Sequence, residues 1–255
     1  MFSLQRYFIS KPDWKNDTVV IRGDDAHHIQ RVMRMNENDK IICNHEEGYA
    51  AICQITNLNK STVEAKVVEE LTENMELPVT ITIAQGLPKG DKFDFVLQKG
   101  TELGAKAFIP FQADRSVVQW DQKKYAKKKQ RFTKIIKEAS EQSHRNMQPQ
   151  IHPVMSLKEL ITESKRYDVK IFPYEEEAKG PYFKPLGEVL NSLQPGESLL
   201  VCIGPEGGFS ENEVNILKKN GFHSVRIGPR ILRTETAALY VLSSISYHFE
   251  ELRCT

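Results

Sequence analysis

The chain has 255 residues, 40% of them hydrophobic, with 35 lysines and arginines against 34 aspartates and glutamates. That length suits one large domain or two modest ones, and the composition is that of a folded, soluble protein and not of a disordered chain. A formal net charge of +1 excludes attraction of a polyanion by overall charge, so any nucleic-acid contact must come from a local patch.

Cys43, Cys53, Cys202 and Cys254 include no CxxC pair, which predicts reduced, mostly buried thiols. The spacing of Cys43, His45 and Cys53 fits no common zinc site, and no metal is expected. The start, MFSLQRYFIS, lacks the apolar run of a signal peptide, and no stretch is apolar for long enough to cross a bilayer. A cytoplasmic protein is the expectation.

From Phe2 to about Leu71 the sequence is β-rich. Tyr7 to Ser10, Thr18 to Arg22, Lys40 to Asn44, Tyr49 to Ile55 and Thr62 to Val68 are short runs separated by Asn, Asp, Gly and Ser, the pattern of a small barrel. One helix interrupts them: Asp24 or Asp25 caps HHIQRVMRM, with Ile29, Val32 and Met33 on the face expected to close the barrel. Arg6, Arg22, Arg31 and Arg34, with Lys11 and Lys15, lie close in sequence to Tyr7, Phe8 and Trp14. Interleaved cations and rings can hold RNA through phosphate contacts and stacking, and a plainly solvated surface has the same composition.

The acidic, Pro-ended run Thr72 to Pro78 is the natural linker. Beyond it the pattern changes. Strands at Val79 to Ala84, Lys106 to Phe111, Ile151 to Val154 and Asp168 to Pro173 alternate with helices at Lys89 to Leu103, Asp121 to Arg145 and Pro185 to Leu193, and with a further one capped by Ser156 and Glu159. This alternation predicts a mainly parallel sheet covered on both faces. The helix over Asp121 to Arg145 carries Lys127 and Lys128 among nine lysines and arginines, as either a solvated face or a surface for a polyanion.

The most informative stretch is Leu199 to Ala238. Strands Leu199 to Ile203 and Ser224 to Ile227 each run into a Gly-Pro turn, IGPEGG at Ile203 to Gly208 and IGPR at Ile227 to Arg230. Glycine permits close approach of a ligand to the main chain and proline stiffens the bend, so matched turns at strand ends form a cradle of backbone groups. Between them, Ser210 and Glu213 have capping-box spacing, with Gly221 as a stop. After the second turn a long closing helix begins, its start carrying Arg233, Thr234, Glu235 and Thr236 toward the cradle. The sequence contains no GxxxxGK[ST] loop, no GxGxxG after a strand, no HExxH and no GxSxG. A ligand held chiefly by main-chain groups is therefore more natural than a nucleoside triphosphate.

IGPEGGFS at Ile203 to Ser210, IGPRILRTETA at Ile227 to Ala238, KGTELGA at Lys99 to Ala105 and HHIQRVMR at His27 to Arg34 together resemble the RsmE family, SPOUT-class methyltransferases that methylate N3 of a uridine in 16S ribosomal RNA. The resemblance spans nearly the whole chain. It implies an α/β SPOUT domain over residues 79–255 with a C-terminal trefoil knot, preceded by a PUA-like RNA-binding β-barrel over residues 1–71 and a linker over residues 72–78. It also implies a homodimer acting on 16S ribosomal RNA of the small subunit with S-adenosyl-L-methionine as cofactor. On that basis Pro173, Tyr174, Ile203, Gly204, Pro205, Glu206, Gly207, Gly208, Ile227, Gly228, Arg230, Ile231, Leu232, Thr234 and Ala237 would bind the cofactor. Arg115, Arg230 and Arg233 suit phosphate or a developing uracil anion, and Glu206 or Glu235 could accept the N3 proton, although capping or pairing with an arginine is the simpler role for either carboxylate. Alternatives are a SPOUT enzyme acting on ribose 2′-hydroxyls or transfer RNA, and a non-catalytic ribosome-assembly factor.

Overall fold

A computed structural model describes residues 4–175 and 184–252. Cys254 and the acidic residues Glu176 and Glu177 lie outside the described residues. The chain divides into two compact units, one of Met1–Glu76 with Lys137–Gln148, the other of Leu77–Ile136 with Pro149–Thr255.

The first unit holds β1 (Arg6–Ile9), β2 (Trp14–Lys15), β3 (Thr18–Arg22), α1 (Gly23–His27), β4 (Lys40–His45), β5 (Ala50–Leu58) and β6 (Thr62–Leu71). They form one sheet in the order β1-β4-β5-β6-β3-β2, antiparallel except where β1 runs parallel to β4. Alternate residues point inward, as a strand's period of two requires: Val19 and Ile21, Ile41 and Cys43, Cys53 and Ile55, Val63 and Ala65. All of them, with Tyr7 of β1 and Ile29, belong to one core, so the sheet curls around its helix.

That helix departs from expectation. It starts at Gly23, so Asp24 and Asp25 sit in its first turn and not at the cap, and after His28 it widens into a π turn in which the Met33 amide donates to the His28 carbonyl at 2.9 Å. The extra residue in this turn rotates the side chains after it around the helix axis. Ala26 and Ile29 face the core, while Val32 and Met33, expected on the same face, are 60% and 38% exposed.

Lys137–Gln148 joins this unit from far along the chain. Asn44 Nδ2 donates to the Arg145 carbonyl at 2.6 Å, and the Arg145 guanidinium pairs with Glu76. Glu76 also accepts from the amides of Asn146 and Met147, both at 3.1 Å, while the Asn146 side chain bonds Met75 N and Glu73 O.

The second unit contains β7 (Thr80–Gly86), α2 (Lys92–Glu102), β8 (Ala107–Gln112), α3 (Gln122–Gln142), β9 (Gln150–Ile151), β10 (Met155–Ser156), α4 (Leu157–Glu163), β11 (Val169–Pro173), α5 (Leu186–Ser192), β12 (Ser198–Ile203), α6 (Glu211–Lys219), β13 (His223–Val225) and α7 (Thr234–Ser246). The sheet is wholly parallel, ordered β10-β8-β7-β12-β11-β13 with β9 beside β8. Strand β12 shows why it is central. Leu199, Val201 and Ile203 pack on one face with Phe93, Phe132 and Leu242, and Leu200 and Cys202 pack on the other with Phe172, Phe209 and Leu217. Both faces are dry, as parallel sheets require. Of the strand expected over Ile151 to Val154 only Ile151 is in a strand, at the end of β9, and β10 begins after it at Met155. The strand expected to reach Ile227 ends at Val225, after which Arg226 exchanges backbone bonds with Lys184 and Leu186.

Candidate active site

The central strands β7 and β12 run side by side and end at Gly86 and Ile203. Their exits are pressed together: a Cβ on Gly86 would lie 2.8 Å from the ring and nitrogen of Pro205. One on Gly204 would lie 3.2 Å from the Phe209 ring, and one on Gly207 3.0 Å from Arg115 Cβ. Gly208 has φ +67° and Gly228 φ +91°, left-handed values that glycine adopts without strain. These constraints account for the glycines of the first turn and for the narrowness of its bend.

The turn is fastened from beneath by a buried relay. Gln85 Nε2 donates to Thr234 Oγ1 at 2.8 Å and to the Gly86 carbonyl at 3.0 Å, and Thr234 Oγ1 donates to the Gly204 carbonyl at 2.6 Å. Strand β7, the turn after β12 and the first residue of α7 are thus held as one piece. Arg233 is the N-cap of α7 and makes no side-chain cap bond, so the positive end of the helix opens at the same place. Gln85 is fully buried, yet its Oε1 has no hydrogen-bond partner.

The second turn lies across β11. The Tyr174 amide donates to the Val225 carbonyl at 3.2 Å, which brings Pro173 and Tyr174 beside the start of that turn. Arg226 Nε braces the Gly228 carbonyl at 3.2 Å. Ile203 is buried, Ile227 and Leu232 are half-buried against the same core, Ala237 is buried on α7, and Ile231 is 77% exposed.

The carboxylates are organised by a residue that sequence reasoning missed. Lys92 Nζ lies 2.8 Å from Glu206 Oε1 and 3.7 Å from Glu235 Oε2. Glu206 accepts in addition from the Lys89 amide at 3.1 Å. Burial pushes the Glu206 carboxyl upward, but the bonds from Lys92 and the backbone amides outweigh it and hold it below its ordinary value. Donating that bond to Glu206 in turn raises the Lys92 ammonium. Glu206 is therefore an ionised partner of a lysine, where an arginine was expected, and a weak base. Glu235 Oε2 is buried with no hydrogen bond. Arg115 donates to the Gly207 carbonyl at 3.1 Å and is exposed, as are Arg230 and Arg233.

Two signals point to the missed residues only faintly. Gln85 is the lone amide at the end of the apolar run ITIAQG, and Lys92 is one of several lysines near the start of α2.

The expected RNA-binding set is not one surface. Arg6 is a correction: it is 8% exposed, donating to Asn44 Oδ1 at 3.1 Å, and burial lowers its pKa. Arg22 pairs with Asp13 at 2.9 Å, whereas Arg31 and Arg34 are exposed. On α3, Lys127 is exposed and Lys128 sits 5.2 Å over the Trp120 ring, while Arg131 pairs with Asp94 and Lys137 with Asp25. Among the described residues no group of three His, Cys, Asp or Glu side chains is placed to hold a metal ion.

Comparison with known proteins bears on this arrangement. Residues 75–246 match the family described as RNA methyltransferase domain, and residues 21–68 match the RNA methyltransferase PUA domain. The chain is 48% identical to the ribosomal RNA small subunit methyltransferase E of Bacillus subtilis over 98% of its length and 99% of that protein's. A crystal structure of a ribosomal RNA small subunit methyltransferase E from Neisseria gonorrhoeae, bound to S-adenosyl methionine, superposes with TM-score 0.83 at 30% identity, covering 96% of this chain and 98% of that one. A putative methyltransferase from Legionella pneumophila, in complex with the same cofactor, superposes with TM-score 0.82 at 28% identity, covering 96% and 97%.

Proposed function

The chain belongs to the ribosomal RNA small subunit methyltransferase E family, and from that premise we infer that it transfers a methyl group from S-adenosyl-L-methionine to N3 of a uridine in 16S ribosomal RNA. The observation that carries the reading is the relay from Gln85 through Thr234 to Gly204, which fixes two strand ends and a helix start around one cradle. The residues present fit the cofactor. Ile203, Ile227 and Leu232 offer an apolar slot beside main-chain groups, as an adenine needs, and a Cβ at Gly208 would meet nothing within 4 Å. Exposed Ile231 would close over that slot, with Pro173, Tyr174, Pro205, Gly207, Gly228 and Ala237 completing its walls.

Bound there, S-adenosyl-L-methionine supplies an electrophilic methyl group on a sulfonium that is already a good leaving group. The chain's own task is positioning, exclusion of water and management of one proton and one negative charge. Arg115, Arg230 and Arg233 offer guanidinium forks for phosphate or for the uracil anion left when N3 loses its proton. Glu235, whose Oε2 is buried without a hydrogen bond, is assigned to accept the N3 proton, because Glu206 is already engaged by Lys92 and two backbone amides.

The same reading includes the trefoil knot formed by the three turns, a cytoplasmic homodimer, and division into a PUA-like barrel over 1–71, a linker over 72–78 and the methyltransferase domain beyond. Exposed Phe95, Tyr240, Tyr247 and Leu252 support the dimer, being large apolar side chains left facing solvent on α2 and on the closing helix with its extension.

The test is methyl transfer from labelled cofactor to small ribosomal subunits lacking the modification, with nucleoside analysis of the product. Label in 3-methyluridine is expected. Label in a ribose-methylated nucleoside or only in transfer RNA would replace the target, and tight binding to subunits with no transfer would make the chain an assembly factor.

A further inference from the structure

The first unit carries a pocket that the methyl-transfer site does not use. It encloses about 500 Å³ and is lined by Trp14, His45 and Tyr49, with Lys11, Glu47 and Glu70 among the residues around it. The size lies within the range of small-molecule sites. Tyr49 stacks on His45 with ring centroids 4.3 Å apart and planes 14° from parallel. Trp14 stands edge-on to both, at 5.5 Å from His45 and 5.4 Å from Tyr49. His45 is buried, and its orientation is fixed because Nδ1 accepts the Glu47 amide at 3.1 Å. Tyr49 therefore rests on a fixed platform, yet it is 46% exposed. A large ring supported from behind and open in front is a stacking surface.

The charge around the pocket says what stacks there. Glu47 and Glu70 are exposed carboxylates, and the one lysine lining the pocket, Lys11, is paired with Glu47 at 2.8 Å. Such a rim repels a phosphate but accepts hydrogen bonds from N–H groups. Among the RNA bases, guanine alone presents two adjacent N–H donors, N1–H and N2–H, that one carboxylate can receive together. We propose that this pocket takes one unstacked guanine of the RNA substrate, stacked on Tyr49 with Trp14 standing against its edge, and read by the carboxylates of Glu47 and Glu70. The proposal rests on the reading of the chain as an RNA methyltransferase. It gives the first unit a base-selective contact where Arg6 is buried and Arg22 is paired.

Trp14 is one of only two tryptophans and serves as the reporter. The full chain is titrated with unstructured RNA pentamers carrying one central guanosine, cytidine or uridine in an otherwise identical context. The guanosine pentamer is expected to quench tryptophan emission, the others at least tenfold more weakly, and Trp14→Phe to remove the quenchable part. Tyr49→Ala should weaken binding of the guanosine pentamer about tenfold, the scale of one lost base stack, with Tyr49→Phe restoring it. Equal quenching by all three pentamers overturns the guanine assignment. Quenching by tetramethylammonium but by no RNA would make the rings a cage for an organic cation and overturn the proposal. A chain that methylates small subunits while Trp14 ignores every RNA sinks the pocket alone, whereas Trp14 quenching without methyl transfer sinks the enzyme reading and leaves the pocket standing.

Discussion

Glu141 offers the sharpest thermodynamic test. Its carboxyl lies 3.5 Å from Lys137 Nζ on the next turn of α3, and Lys137 also pairs with Asp25. Burial pushes it up to about 7, and Asp25 adds to the rise, against the opposing pull of Lys137 and a bond from the Phe8 amide. Its Oε1 is buried with no hydrogen-bond partner. A carboxyl near 4.5 in the unfolded chain and near 7 in the fold binds its proton more tightly when folded. The native state is therefore favoured below about pH 4.5, and that advantage is lost as pH rises through about 7. Each pKa unit corresponds to about 1.36 kcal/mol, so keeping Glu141 ionised at pH 8 costs about 3 kcal/mol before allowance for its partial exposure, and about 2 after it. Glu141→Gln keeps the shape and an acceptor for the Phe8 amide while removing the charge. The expected result is near-equal stability of the two proteins at pH 5 and a gain of about 1–2 kcal/mol for the variant at pH 8, part of the benefit being offset by the lost Lys137 contact. Urea unfolding at about pH 5, 6, 7 and 8, monitored through Trp14 in the same unit, reads the difference. A difference that does not change with pH would refute the reasoning, and a variant weaker at high pH than at low would show that the ion pair outweighs burial.

Other substitutions probe the site and its supports. Gly204→Val should abolish cofactor binding in calorimetry, because even its Cβ would come within 3.2 Å of the Phe209 ring; unchanged affinity would remove the cradle from the cofactor's path. Glu235→Gln should lower kcat about a hundredfold or more, as expected for loss of a general base, with Glu206→Gln acting mainly through lost positioning of Lys92; the reverse order in single-turnover rates would exchange their roles. Glu76→Ala should cost the first unit roughly 3 kcal/mol or more, since it strips the counter-charge from buried Arg145 and the acceptor from two amides, and a change below about 1 kcal/mol would contradict this. Ser210→Ala should cost about 1 kcal/mol by breaking the capping box of α6, measured as a shift in the thermal midpoint.

The features legible in the sequence are those that local physics determines. The alternation of apolar runs with amphipathic ones predicts the parallel sheet, and β12 shows the reason, since its consecutive side chains enter two different dry cores. Ser156 and Ser210 cap where their spacing to Glu159 and Glu213 requires, and Gly104 and Gly221 end helices with φ of +89° and +81°. The two Gly-Pro turns are visible because glycine and proline report directly on backbone shape. The features that escape reading depend on partners remote in sequence. Nothing around Lys92 announces Glu206 and Glu235, more than a hundred residues on, and Gln85 finds its remote partner in Thr234. Arg6 reads as a surface cation because its partner Asn44 lies on a strand that only the sheet order brings beside it. The π turn at His28 has no residue signature, and it alone moves Val32 and Met33 out of the core.

The recruitment of Lys137–Gln148 by the first unit bears on how the nascent chain matures. A ribosome that has finished β6 has made every strand of the curled sheet but not Arg145 and Asn146, the residues that satisfy Glu76, Asn44 and Glu73. Those emerge only after β7, α2, β8 and all of α3 have been translated, several seconds later at ordinary elongation rates. In the meantime Glu76 and Asn44 must stay hydrated. A fragment cut at Pro78 would keep Glu76 and Asn44 without those partners, so an excised N-terminal piece should be judged with Lys137–Gln148 supplied as a peptide.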